Sequence, residues 1–177
     1  MLYKPKWSIA KKRLKNLVCE SLYSRVDFHV INYRKAHDQL GRAVITVDGI
    51  EKLSMCTIVA EREEYYRERE IRIQSSNLNY VDVAYNRGVQ EQAHEQLKKE
   101  GIYGQHDFFF ALETYFNSSM DDLLKSNNPL IKILCILDRR IGKRTLYKME
   151  NIISEENTLV QEFYKLHCNA ENIRLSI

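Results

Sequence analysis

Residues 25–56, RVDFHVINYRKAHDQLGRAVITVDGIEKLSMC, decide the fold. In this stretch Val26, Phe28 and Val30 alternate with Asp27 and His29, and Ile31 and Tyr33 follow, so residues 25–34 have the period and the residue types of a strand. KAHDQLGR supplies a loop, and RAVITV (42–47) a second strand. Asp48-Gly49 is a two-residue hairpin signal leading into a third strand near Ile50 to Cys56. Three successive strands with short connections make an antiparallel meander.

Helical patterns flank the meander. Before it, Trp7, Ala10, Leu14, Leu17, Val18 and Leu22 fall on one face of a helix from Lys6 to about Tyr23. At about 100° per residue, Lys12 and Lys15 lie on one flank of that stripe and Arg13 and Lys6 on the other, so their stems border the core. After it, Thr57 can open a helix to about Glu70, carrying Glu63 and Arg67 at i,i+4. The first 75 residues therefore read α-β-β-β-α.

Beyond QSSNLN the pattern is helical throughout. From Tyr80 to Glu100, Val81, Ala84, Tyr85, Gly88, Val89 and Ala93 share one side, and Gly101 is placed to stop the helix. DFFFALETYF, from near Asp107, is apolar nearly all round and belongs in the core. Ser118 or Ser119 caps MDDLL, and Asn128-Pro129 opens PLIKILCIL. Ser154 precedes a last amphipathic helix with Leu159, Val160, Phe163 and Leu166. The expected fold is α+β: an N-terminal unit over 1–75 packed on a helical lobe over 80–177, together one compact domain.

With 44% hydrophobic and 29% charged residues among 177, the chain has the balance of a folded globular protein, which excludes a disordered tail or a disulfide miniprotein. No stretch approaches the roughly 20 apolar residues of a membrane helix. No apolar run follows the basic start MLYKPKWSIAKKRLK, so no signal peptide and a cytoplasmic location are expected. Cys19, Cys56, Cys135 and Cys168 are widely spaced in apolar surroundings and read as reduced core thiols.

Net charge is +3, but residues 1–50, 51–128, 129–150 and 151–177 carry +6, −5, +4 and −2. Two basic regions around an acidic middle could form an anion-binding face. The second of them, LDRRIGKRTLYKM (137–149), follows the apolar run LIKILCIL. Asp138, Arg139, Arg140, Lys143 and Arg144 are thus read as a structural helix terminus. In that reading the cations Arg139, Arg140 and Lys143 meet the last carbonyls, Gly142 is the left-handed stop, and Asp138 pairs with an arginine or caps the backbone.

The densest polar constellation is the loop YRKAHDQLGR (33–42), where His37-Asp38 stand among Tyr33, Arg34 and Arg42. No histidine pair has metalloprotease spacing, so neither a metal nor a cofactor is expected. Phosphate loops, nucleophile elbows and zinc signatures are missing from the sequence. The order α-β-β-β-α is shared with double-stranded-RNA-binding modules, but the second helix opens V-A-E-R-E-E where such a module has a lysine-rich turn.

R-V-D-F-H-V, Y-R-K-A-H-D-Q, G-R-A-V-I-T-V-D-G and L-D-R-R-I-G-K-R-T-L, together with W-S-x-x-K-K-R-L and F-Y-K-L-H, resemble an uncharacterised family of small bacterial proteins across nearly the whole chain. The resemblance implies a bacterial cytosolic protein and brings no activity with it. The leading expectation is a non-enzymatic binding protein that contacts another protein. Its contact surface would be the sheet face bearing His29, Tyr33 and Thr46 and the loop with Arg34, His37, Asp38 and Arg42. The second is nucleic-acid binding through regions 4–42 and 132–148, and the third a hydrolase or transferase using His37 and Asp38. Oligomeric state leaves no mark in the sequence.

Overall fold

The structure, a computed structural model, describes residues 6–33 and 40–174. Helix α1 (Trp7–Leu17) and a 3-10 turn (Glu20–Leu22) lead into strands β1 (Val26–Asn32), β2 (Gly41–Val47) and β3 (Ile50–Cys56). Helices α2 (Thr57–Gln74), α3 (Val83–Glu100), α4 (Gln105–Asn117), α5 (Met120–Leu124), α6 (Pro129–Ile136), α7 (Lys143–Ile153) and α8 (Thr158–Ala170) follow. The protein is α+β with the expected α-β-β-β-α start.

The sheet is an antiparallel meander in the order β1-β2-β3. Val26, Phe28 and Val30 face Val47, Ile45 and Ala43, which places one apolar row on one side. Asp48 and Gly49 both take positive φ, 53° and 78°, as a type I′ turn requires. One glycine is fixed by crowding rather than by φ. A Cβ on Gly41 would stand 2.5 Å from the Ile31 carbonyl oxygen and 2.8 Å from Gln105 Nε2, so only glycine lets β2 pass there.

A single apolar core joins this sheet to the helices. Phe28, Ala43, Ile45 and Met55 meet Leu14 of α1, Phe108 and Leu112 of α4, Ile133 and Ile136 of α6, and Phe163 and Tyr164 of α8. Trp7 packs edge-on against Phe108 with ring centres 6.1 Å apart. Helices α2 and α3 form an antiparallel pair whose distal part rests on a separate small cluster of Ile71, Val89 and Ala93 with Tyr85.

Several ends differ from the sequence reading, each for a local reason. Helix α1 stops at Leu17 because Val18 forms an antiparallel bridge with Asp138, where Cys19 N–H donates to Leu137 O and Arg139 N–H to Leu17 O. The last helix begins after Asn157, whose side chain accepts from Val160 N–H, and not after Ser154. Gly142 is not left-handed: with φ −86° and ψ 169° it is the N-cap of α7 (Lys143–Ile153). The third helix likewise begins only at Val83, after the N-cap Asp82 whose carboxylate accepts from Tyr85 N–H, leaving Tyr80 and Val81 outside it. The caps at Ser119, Asn128 and Gly101 stand where the sequence put them.

Candidate functional site

The polar groups of the sheet face are engaged with one another and with Lys11 of α1. Lys11 Nζ donates to Asp27 Oδ2 at 2.9 Å, His29 Nε2 lies 3.5 Å from the same oxygen, and Thr46 Oγ1 lies 3.4 Å from His29 Nε2. Burial pushes the Asp27 carboxyl up, but Lys11 and the Phe28 N–H outweigh it and hold the group below the usual carboxylate range. Thr46 is only 9% exposed. Arg42 is clamped bidentately by Glu51 at 2.8 and 2.9 Å, and the Tyr33 hydroxyl lies 3.7 Å from Cys56 Sγ. Arg34, His37 and Asp38 lie outside the described residues.

The basic terminus also turns inward. Asp138 is fully buried and accepts from Tyr115 OH, from Arg140 N–H and from the Arg140 guanidinium. It is thus both arginine-paired and bonded to the backbone. Arg140 and Lys143 do not meet the α6 carbonyls as expected: Arg140 is bound to Asp138, and Lys143 donates to Glu171 O at 2.8 Å. The two basic regions do converge, since Lys12 and Arg13 of α1 line one groove with Arg140. In that groove Arg13 donates to Phe116 O at 2.8 Å and stacks on the Phe116 ring. Arg139 and Arg144 are exposed. An adjoining open groove of about 920 Å³ contains Cys19, His167 and Glu171. Burial raises the Cys19 thiol above its ordinary pKa, the opposite of what a nucleophile requires.

A different surface stands out at the tip of the α2–α3 pair. Leu78, Tyr80, Val81 and Val83 are all exposed, Val81 by 88% and Val83 by 72%, and exposed Ile73 precedes them. The polar side chains of the same segment bond its own backbone and hold it in place. Asn77 Oδ1 accepts from Asn79 N–H, Asn79 Oδ1 accepts from Val81 and Asp82 N–H, and Asn86 Nδ2 donates to Tyr80 O. Arg72, buried beneath, stacks on Tyr80 and Tyr85 at 4.5 and 5.4 Å and donates to Asn79 O. The sequence carried the signal as Leu78, Tyr80, Val81 and Val83 interleaved with Asn and Asp, but helical periodicity assigned Val81 to the packed side.

The structure also brings His94 together with the adjacent pair His106-Asp107. His94 of α3 and His106 and Asp107 of α4 have ligand-type atoms all within 4.8 Å of one another. His94 Nε2 lies 3.2 Å from Asp107 Oδ1, and His106 Nε2 lies 3.6 Å from Asp107 Oδ2. The two rings stack with centres 6.0 Å apart and planes 19° apart. On the far side of His94, Nδ1 faces Glu64 Oε1 of α2 at 3.8 Å. Asp107 is fixed by the helix start, where Gly104 N–H donates to its Oδ2 at 2.8 Å. Spacing within one element could not reveal this group, because its members come from successive helices joined at Gly101 and Gly104.

Fold and surface define an α+β protein with an ordered, apolar-tipped helical pair beside a histidine–carboxylate cluster. The chain belongs to the SF0329 protein family, whose family model matches residues 6–168. No curated protein and no solved structure matches it. Among the described residues, no helix is long and apolar enough to cross a membrane.

Proposed function

We propose that this is a non-enzymatic binding protein that docks another protein through the tip of the α2–α3 pair. The observation that carries the reading is the run of exposed apolar side chains Leu78, Tyr80, Val81 and Val83 on a backbone that Asn77, Asn79 and Asn86 hold in place. Contiguous exposed apolar surface of this kind marks contact sites on soluble proteins. A backbone already fixed by its own side chains loses little further entropy on binding, which favours affinity. Tyr80 supplies the aromatic anchor typical of interface centres.

A photo-crosslinking residue in place of Tyr80, introduced in the producing cell, tests this against the same residue placed at Lys148. A discrete adduct is expected from position 80 and not from 148, and Val81→Asp with Val83→Asp should abolish it at unchanged melting temperature. Equal labelling at both positions, or an adduct indifferent to the double substitution, overturns the reading. An adduct of two copies of this chain also overturns it, by making the surface a self-contact.

The convergence of Lys12, Arg13 and Arg140 favours nucleic-acid binding as a second reading. Against it, Arg13 and Arg140 already have partners within the protein. Binding of that kind would weaken steeply with salt through counterion release. No retardation in a low-salt gel shift removes it.

A further inference from the structure

We propose that His94, His106 and Asp107 bind a divalent transition-metal ion, Zn²⁺ by the nature of the donors, with Glu64 orienting His94 from behind. The donor set comes first. Two imidazoles and one carboxylate suit zinc and its neighbours, whereas magnesium and calcium take oxygen ligands.

Geometry is the second observation. Zinc bonds of about 2.0–2.2 Å place tetrahedral donor atoms about 3.3 Å apart. His94 Nε2 lies 3.2 Å from Asp107 Oδ1, His106 Nε2 lies 3.6 Å from the other oxygen, Oδ2, and one ligand atom from each residue fits within 4.8 Å, so the three donors already converge and need only draw closer to ligate. Three protein ligands leave a fourth position, and His106, with its side chain 60% exposed, opens that position to water.

The surroundings complete the case. Ligating histidines characteristically give their other nitrogen to a carboxylate, and Glu64 Oε1 stands 3.8 Å from His94 Nδ1 in that place. Gly104 N–H holds Asp107 Oδ2, and a Cβ at Gly104 would stand 2.6 and 2.7 Å from His106 ring atoms, so glycine there leaves the ring its place. Among the described residues, no lysine or arginine pairs with Glu64 or Asp107, which leaves two carboxylates and two imidazoles facing each other. One metal ion would engage both imidazoles and Asp107, with Glu64 left to accept from His94 Nδ1–H. The ion would link α3 directly to α4, and α2 through Glu64, so it bears on how the helical pair sits on the body.

The test is titration of chelator-treated, tag-free full chain with Zn²⁺ by calorimetry and with Co²⁺ by visible absorption. One Zn²⁺ per chain and an intense four-coordinate Co²⁺ spectrum are expected. His94→Gln and His106→Ala should each weaken binding by about 100-fold or more, and Glu64→Gln by about 10-fold, as loss of an orienting partner does. His29→Ala should change nothing. His106→Ala removes an exposed side chain and leaves the fold intact, which circular dichroism verifies. Absence of Zn²⁺ binding, binding that survives His106→Ala, or the pale spectrum of hydrated Co²⁺ overturns the proposal.

Discussion

Arg140 reaches back two residues to cover Asp138, its Nη2 2.6 Å from Oδ2 of a carboxylate that is 0% exposed. Tyr115 OH donates to the same oxygen from α4, and the Arg140 N–H donates to Oδ1 at 2.8 Å. Burial and the Asp138 charge both push the Tyr115 phenol above its ordinary pKa, so it stays a donor across the physiological range. Removing Asp138 leaves the Tyr115 hydroxyl buried and unpaired, while the Arg140 side chain, 44% exposed, turns to water. Asp138→Ala should cost about 1–3 kcal/mol and Tyr115→Phe about 1.5–3 kcal/mol. Urea denaturation followed by circular dichroism measures both, and a cost below about 1 kcal/mol for Asp138→Ala would contradict this account.

Two helix ends make opposite predictions. Both α2 and α3 close with paired carbonyl-to-amide bonds around a left-handed residue. At α2, Ser76 has φ 52°, Asn77 N–H donates to Arg72 O and Ser76 N–H to Ile73 O. At α3, Gly101 has φ 80° with the equivalent bonds to Leu97 O and Lys98 O. A side chain in this region is strained and glycine is not. Ser76→Gly should therefore stabilise by about 1 kcal/mol and Gly101→Ala destabilise by a similar amount. Thermal melts of the two variants should shift in opposite directions.

The fold was legible wherever a local signal had no competitor. Asp48-Gly49 determines its own turn, and Asn128-Pro129 and Ser119 cap helices with side chains next in sequence. Reading failed where a distant partner intervened. Nothing near Leu17 announces that α1 ends there, because the cause is a bridge to Asp138, 120 positions along. Gly142 carries the composition of a helix stop, yet α6 has already ended at Ile136 and the glycine caps the next helix instead. That Asp138 would be paired could be argued from its place after an apolar run. That Tyr115 would join it could not.

The candidate surfaces were less legible for the same reason. His94 and His106-Asp107 have no motif spacing, since tertiary packing of α3 on the start of α4 brings them together. Exposed apolar residues at 78–83 resemble core residues to any periodicity argument, because hydrophobicity does not say which face is covered.

His167 gives a pH dependence with a definite sign. Its ring is buried, with Nδ1 against Ile136 O, and burial lowers its pKa below the ordinary value near 6.5, despite the raising effects of that carbonyl and of Glu171. As pH falls below about 6.5 the unfolded chain takes up a proton that the folded chain resists. Stability is therefore full above that value and declines as pH falls toward the depressed folded pKa. His167→Gln should flatten this part of the profile, as measured by urea midpoints between about pH 7 and pH 5. An unchanged slope would show that the ring titrates freely.

Arg72 is the residue on which the backbone order of the α2–α3 tip depends. It lies beneath Tyr80 and Tyr85, donates to Asn79 O at 3.4 Å and stands 3.7 Å from Glu68, whose carboxyl burial pushes above its usual range. Arg72→Met keeps an apolar stem of similar length and removes the planar cation. A desolvated cation–π contact is worth about 2 kcal/mol, so a loss of that order is expected locally. The amides of Val81 and Asp82, bonded to Asn79 Oδ1, should then exchange with solvent faster while those of α6 keep their protection. Crosslinking from position 80 should fall as well, although every outward apolar side chain is unchanged. Undiminished crosslinking with faster exchange would mean that the partner recognises the apolar residues without needing the loop held in advance.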